Sequence, residues 1–214
     1  MASSVTPISR RAERKQEFRA LLSAALERIL ADTPFPDVTI DRILAEAGVS
    51  RSTLYSYFPD KVSLLLAVAQ DIVDQAQDAA AGWWQLTDEP SREDLEAVLG
   101  AILDLYLAHR HVLAALVDAA SVEGKLRGRL SELFVDGSRA GLVHHITAGQ
   151  AAGTVRAEIL PDETAGWLIW MIERGLHQMA VPARPSQIGS LLRSLTDIIW
   201  LTLYVRSTAP DATR

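Results

Sequence analysis

The stretch TIDRILAEAGVSRSTLYSYFPDK, residues 39–61, decides how this chain is read. Its apolar positions fall into two short helical runs. Ile40, Ile43, Leu44 and Ala47 form the first, and Val49, Leu54 and Phe58 continue the same small core after a break. Gly48 stands at the break, where a helix C-cap favours the left-handed backbone that glycine adopts without a Cβ penalty. Thr39 and Ser50 sit at N-cap positions, where a hydroxyl can accept a free N–H of the first turn. Pro59 ends the second helix and Asp60 caps the next. The second helix then turns Arg51, Ser52, Tyr55 and Ser56 outward. Arg51 and Tyr55 are four apart, and Ser52 and Tyr55 three apart, so they share a side. Arginine can donate two parallel bonds to guanine, and hydroxyls reach phosphate oxygens. The pattern has the shape of a helix-turn-helix whose second helix enters the major groove. A solvent-exposed helical hairpin has the same spacing, so spacing alone leaves both readings open.

Upstream, Phe18, Leu21, Leu22, Ala25, Leu26, Ile29 and Leu30 recur with a 3-4-3 spacing, which predicts a helix over 10–32. Thr33 to Asp37, with Pro34 and Pro36, breaks it. Downstream, helices are expected from Asp60 to about Trp84, from Ser91 (a capping box with Asp94) to about Leu107, over 109–120, over 122–152, from Pro161 to about Ala180 and over 186–206. Gly153 ends the 122–152 run. No sustained period-2 pattern occurs. The expected fold is all-α with about nine helices: an N-terminal three-helix segment over 1–60 that holds the helix-turn-helix, and a C-terminal helical bundle over 61–214, linked by the helix from Asp60 to Trp84.

The chain has 214 residues and no cysteine. That excludes disulfide frameworks, thiolate metal sites and cysteine nucleophiles. His109, His111, His144, His145 and His177 form no i,i+4 pair, and no carboxylate completes a metal triad. There is no phosphate loop, nucleotide-binding glycine fingerprint or nucleophile elbow. No enzyme, metal or cofactor is therefore expected. No apolar run approaches the roughly 18 residues of a membrane span, and the opening residues carry no export signal, so the cytoplasm is the expected location. A net charge of −6 argues at first against a nucleic-acid partner. The charge is unevenly spread: residues 1–61 hold 9 Lys and Arg against 8 Asp and Glu, and the acidity lies beyond them. The average is thus no evidence against DNA, but it predicts modest non-specific affinity.

The string Thr39-x-x-x-Ile43-Leu44-x-x-Ala47-Gly48-Val49-Ser50, followed by Thr53-Leu54-Tyr55-x-Tyr57-Phe58-Pro59-Asp60-Lys61, resembles the TetR family of transcriptional regulators. The rest matches only in helical organisation; the resemblance implies a DNA-binding domain over 1–60 and a ligand-binding and dimerisation domain over 61–214, with the helix from Asp60 to Trp84 as the lever between them. The resemblance implies that Arg51, Ser52 and Thr53, with Ser50 beside them, face base edges or flanking phosphates. Tyr55 and Tyr57 would contact the backbone and groove wall. Lys61 and Thr39 would bind phosphates, Thr39 at a helix N-terminus. Arg10, Arg11, Arg14 and Lys15 could add contacts or be a solvated tail.

All five tryptophans follow residue 80. Trp83, Trp84, Trp167, Trp170 and Trp200, with Tyr106 and Phe134, are either core filling or the wall of an apolar pocket. The resemblance favours a pocket. Trp167–Arg174 and Ile198–Tyr204 are similar to the last two helices of a mycobacterial subgroup of the family that controls ethionamide activation, in which they line a long apolar channel. The matching positions are Ile169, Ile172 and Trp200. Isoleucines at 169 and 172 replace polar anchors of that subgroup, which leaves Glu173 and Arg174 as polar candidates. Both final helices are apolar on more than one face, so one face must meet something other than the core. A second subunit is expected there, with Ile198, Leu201 and Val205 on the seam. The function implied is a one-component regulator. It would bind a palindromic double-stranded DNA operator as a homodimer, act as a repressor, and be released by a small apolar ligand. The alternative is a regulator with a filled core that is independent of ligand or under protein control.

Overall fold

The computed structural model describes residues 10–84, 90–122, 126, 128, 129, 132 and 137–205. Among them there are nine α-helices and no strand. They are α1 (Arg10–Leu30), α2 (Ile40–Ala47), α3 (Arg51–Tyr57), α4 (Lys61–Trp84), α5 (Arg92–Ala108), α6 (Arg110–Val122), α7 (Gly137–Ala152), α8 (Pro161–Gly175) and α9 (Pro185–Leu203). The caps written in the sequence are used. Ser91 Oγ accepts the Asp94 N–H at 3.0 Å and opens α5. Asp60 Oδ1 accepts the Ser63 N–H at 2.7 Å and opens α4. Gly153 ends α7 with φ 77°. Of the helix expected over 122–152, Val122 belongs to α6 and Gly137–Ala152 forms α7; most of the residues between them lie outside the described ones. Phe134 lies outside the described residues.

The chain forms two compact units. The first contains the described residues up to Asp71 together with His111–Val122, so the segment 1–60 sits inside a larger body. Its core is Leu22, Ala25, Leu26 and Ile29 of α1, Ile43 of α2, Leu54 of α3, Phe58, and Leu64, Leu65 and Val68 of α4, all buried. Polar joints tie these helices together. Arg19 Nε donates to Asp71 at 2.5 Å. The Glu27 carboxylate of α1 accepts the backbone N–H groups of His111 and Val112 at 2.9 and 3.0 Å. It thereby satisfies the free donors at the start of α6, where a negative charge also suits the helix dipole.

The second unit contains Ile72–Arg110 and the described residues after Val122. Its core gathers Trp83, Leu95, Leu99, Leu142, Ile146, Val155, Ala165, Leu168, Ile199 and Leu203. A polar chain runs through it. Trp83 Nε1 donates to Tyr204 Oη at 2.8 Å, and Tyr204 Oη lies 2.7 Å from His145 Nε2. The Tyr204 hydroxyl thus joins the Trp83 indole and the His145 imidazole in one buried polar chain. Burial lowers the His145 pKa and, by disfavouring the phenolate, raises that of Tyr204 to about 12.

Candidate nucleic-acid interface

The turn between α2 and α3 is built as its residues dictate. Thr39 Oγ1 accepts the Arg42 N–H at 3.2 Å and starts α2. Gly48 adopts φ 66° and ends it, its N–H bonded to Leu44 O. Ser50 Oγ accepts the Thr53 N–H at 3.2 Å and starts α3. The Ser50 hydroxyl also lies 2.7 Å from Thr53 Oγ1 and 3.0 Å from Ser52 Oγ, so three hydroxyls cluster at the helix start.

Burial of Leu54, with Phe58 just beyond the helix, fixes the rotation of α3. With 100° per residue, the same rotation turns Arg51, Ser52, Tyr55 and Ser56 outward. Thr39, Ser50, Arg51, Ser52, Thr53, Tyr55 and Tyr57 are all exposed. Tyr57 also packs, its ring 5.1 Å from that of Phe18 on α1. It therefore steadies α3 as well as meeting solvent, a role for Phe18 that sequence reading missed.

Lys61 needs correction. Its ammonium donates to the carbonyls of Phe35, Pro36 and Val38 at 3.1, 2.8 and 2.9 Å. It also stands 5.0 Å from the centroid of the Phe35 ring. All three N–H donors are thus used on the turn before α2, and none is left for a phosphate. Two prolines within residues 34–36 leave this turn poor in donors and rich in free carbonyls. Arg51 is also engaged, in an ion pair with Asp41 of α2. Asp41 went unnoticed in the sequence, although it and Arg51 stand in the first turns of two helices joined by a tight turn. Arg42 donates to Thr33 Oγ1 at 2.7 Å. Asp60, capping α4, has a pKa below the usual carboxylate range because the Ser63 N–H and hydroxyl bond to its charged form.

The residues expected to line a ligand pocket in the second unit separate into three groups. Trp83 is buried and hydrogen-bonded, and Trp200 packs its ring 4.6 Å from Tyr204. Trp83 is core, and Trp200 packs partly buried against it. Trp84, Ile169 and Ile172 pack at the edge of that core. The Trp84 ring lies against Gly141, where a Cβ would come within 2.5 Å of it, and Trp84 Nε1 is buried with no hydrogen-bond partner. Tyr106 is buried, and the buried Glu173 Oε2 makes no hydrogen bond but stands 3.8 Å from Arg174 Nε in an ion pair. Burial, and then the Glu173 charge, push the Tyr106 hydroxyl pKa well up.

Trp167 and Trp170 form the third group and contradict the expectation. Trp167 is 79% exposed and Trp170 is 45% exposed. Ala165 and Leu168 face the core, so Trp167 and Trp170, two positions further round from each, lie on the outer side of α8. On α9, Ile199 and Leu203 are buried, while Ile198, Leu201 and, just beyond the helix, Val205 are exposed. Two open clefts of about 620 and 570 Å³ mark this unit, the first along Glu93, Glu96, Gly100, Asp104 and Leu192, the second along Arg139, Val143, His144 and Thr147. None of the residues expected to hold a ligand borders either cleft.

A capped, glycine-turned helix pair with a polar, outward second helix defines a DNA-binding head of the helix-turn-helix class. A profile of bacterial regulatory proteins of the TetR family matches residues 21–68. The HTH-type transcriptional regulator EthR of Mycobacterium tuberculosis is 29% identical over 189 residues, 86% of this chain and 84% of that one. A transcriptional regulator from Saccharomonospora viridis, solved in complex with choline, superposes with a TM-score of 0.68 at 24% identity over 89% of this chain and 100% of that one. The regulator FadR from Bacillus subtilis, solved in complex with stearoyl-CoA, gives a TM-score of 0.68 at 16% identity over 84% of this chain and 96% of that one. Residues 21–68 thus carry the DNA-binding head of the TetR family of transcriptional regulators, and the chain as a whole is similar to DNA-binding regulators of that family rather than to enzymes. Among its described residues no single helix is long and apolar enough to cross a membrane, and no group of His, Asp or Glu side chains is arranged to hold a metal ion.

Proposed function

We propose that this protein is a cytoplasmic repressor that binds a palindromic operator as a homodimer and is released by a small molecule held in its second unit. One observation carries the DNA-binding part: α3 is anchored by Leu54 and presents Arg51, Ser52, Thr53 and Tyr55 together at an exposed helix start. Arg42, Arg51 and Lys61 are each already bonded within the head, so base reading rather than bulk attraction supplies its preference. Thr39, Ser50 and Tyr57 serve as backbone contacts, and Lys61 holds the head's shape.

The dimer reading is supported by Trp167, Trp170, Ile198, Leu201 and Val205, large apolar side chains left outside on α8 and on or just beyond α9. Isolated exposed apolar residues are ordinary, but two tryptophans and three aliphatics on adjoining segments suit a subunit seam. The ligand reading is supported by Tyr106, Trp84, Ile169, Ile172 and Glu173. They combine apolar wall with two buried polar atoms that make no hydrogen bond, Trp84 Nε1 and Glu173 Oε2. The relatives solved with choline and with stearoyl-CoA are consistent with small-molecule control. Trp83 belongs to the filled core, and Trp200 packs partly buried against it.

The test is binding to duplexes selected by the wild-type protein, repeated with Arg51→Ala and with Trp84→Ala. Arg51→Ala loses sequence discrimination by about 1–3 kcal/mol while melting as the parent does. Trp84→Ala keeps DNA binding but loses the response to any compound that stabilises the parent in a thermal-shift screen. Undiminished discrimination by Arg51→Ala overturns the assignment of the recognition helix.

A further inference from the structure

We propose that Asp41 is a specificity-determining residue of the DNA-reading face: its carboxylate holds Arg51 away from phosphates in general and yields it only where a site offers the guanidinium matched acceptors. The proposal rests on α3 being the recognition helix. Asp41 is the second residue of α2 and Arg51 the first of α3, and the tight turn at Gly48 brings them into an ion pair. Their side chains are 75% and 56% exposed. A pair so exposed contributes little to folding, because water and salt screen it. Its consequence lies in what it does to the surface.

The other cations at the start of these helices are already committed to the protein. Arg42 is bound to the Thr33 hydroxyl and Lys61 to three carbonyls. Arg51 is the one among the three whose partner is an anion, so its charge is cancelled and held in place together. A phosphate approaching the start of α3 meets a neutralised arginine and a neighbouring carboxylate that repels it. Binding to random DNA, which depends on phosphate contacts, is weakened. A guanine edge, by contrast, presents two acceptors in the geometry of the guanidinium fork. Asp41 also holds Arg51 near its working position before DNA arrives, which lowers the ordering cost of the specific contact. A repulsive element set against wrong partners is a common route to specificity.

Asp41→Asn removes the charge but keeps the size and the first-turn oxygen. Binding is measured by fluorescence anisotropy against random-sequence duplex and against duplex enriched by wild-type protein, over a series of salt concentrations. For random duplex, the slope of log K against log salt steepens by about 1 as Arg51 gains a phosphate. Affinity for random duplex rises roughly fivefold, and preference for the enriched duplex falls by a similar factor. The same substitution on an Arg51→Ala background changes random-duplex affinity less than twofold, since the pair is already gone. An unchanged slope, or an equal change on the Arg51→Ala background, overturns the proposal. Failure of wild-type protein to enrich any duplex instead removes the reading of α3, a result distinct from an inert Asp41→Asn in a protein that does enrich one.

Discussion

Replacing Lys61 by methionine separates two accounts of that residue. In the structure its ammonium closes the turn before α2 through three carbonyl bonds at 3.1, 2.8 and 2.9 Å. Charge-assisted bonds contribute about 1.5–3 kcal/mol each when fully formed and shielded. This site is only half-buried, so solvent screens them, and ordering a lysine costs about 2 kcal/mol of rotamer freedom. Methionine keeps the apolar stem over Phe35 and leaves three carbonyls without their donor. The net expected loss is about 2–3 kcal/mol, or a melting midpoint lower by about 4–10 °C in a chain of this size. Circular dichroism melts of parent, Lys61→Met and Lys61→Arg measure it, with Arg retaining part of the effect. DNA binding by the folded fraction keeps its salt dependence. An unchanged midpoint, with a salt slope that falls by about 1, would refute the argument and return Lys61 to the phosphate contact expected from sequence.

Three further substitutions probe the second unit. Gly141→Val drives methyl groups into the Trp84 ring, where even a Cβ falls within 2.5 Å, and destabilises by about 1–3 kcal/mol, read by urea titration of tryptophan fluorescence. Tyr204→Phe leaves Trp83 Nε1 and His145 Nε2 without their shared hydroxyl and costs about 1–3 kcal/mol in the same titration. His145 is held neutral by burial, so its folded pKa lies below the ordinary 6.5. Below that value the unfolded chain binds more protons than the folded one, and stability falls as pH falls; melts of the parent show this loss, and His145→Gln reduces it. Leu201→Asp puts a charge on the exposed seam of α9 and converts a dimer to monomer in sedimentation velocity, with no change in helix content.

Much of the head was legible in the sequence because its signals are local. Gly48, Ser50 and Leu54 each act within four residues, through a left-handed cap, an N-cap and one buried contact, so reading them in order yields α2, the turn and α3. The limits appear where one residue type serves two environments. Lysine at 61 reads as a phosphate contact until the donor-poor turn of residues 34–36 comes within reach, and no spacing rule links positions 25 apart. The tryptophans fail for a related reason. Trp83 and Trp167 are both large, apolar and helical, yet one is locked to Tyr204 in the core and the other stands outside. Which side of the all-apolar α8 meets the core was not readable from spacing; it is the burial of Ala165 and Leu168 that sets it. Asp41 and Arg51 pair across a turn, which helical periodicity does not register.

The central claim is that α3 reads DNA sequence, and selection of duplexes from a random pool by the purified full-length protein tests it most directly. The account predicts enrichment of an inverted repeat whose half-sites lie about one helical turn, or a multiple of it, apart. It also predicts that the enriched sequence changes or blurs at one position of each half-site when Arg51 is replaced by alanine. A pool that stays random, or an enriched sequence indifferent to Arg51, would contradict it.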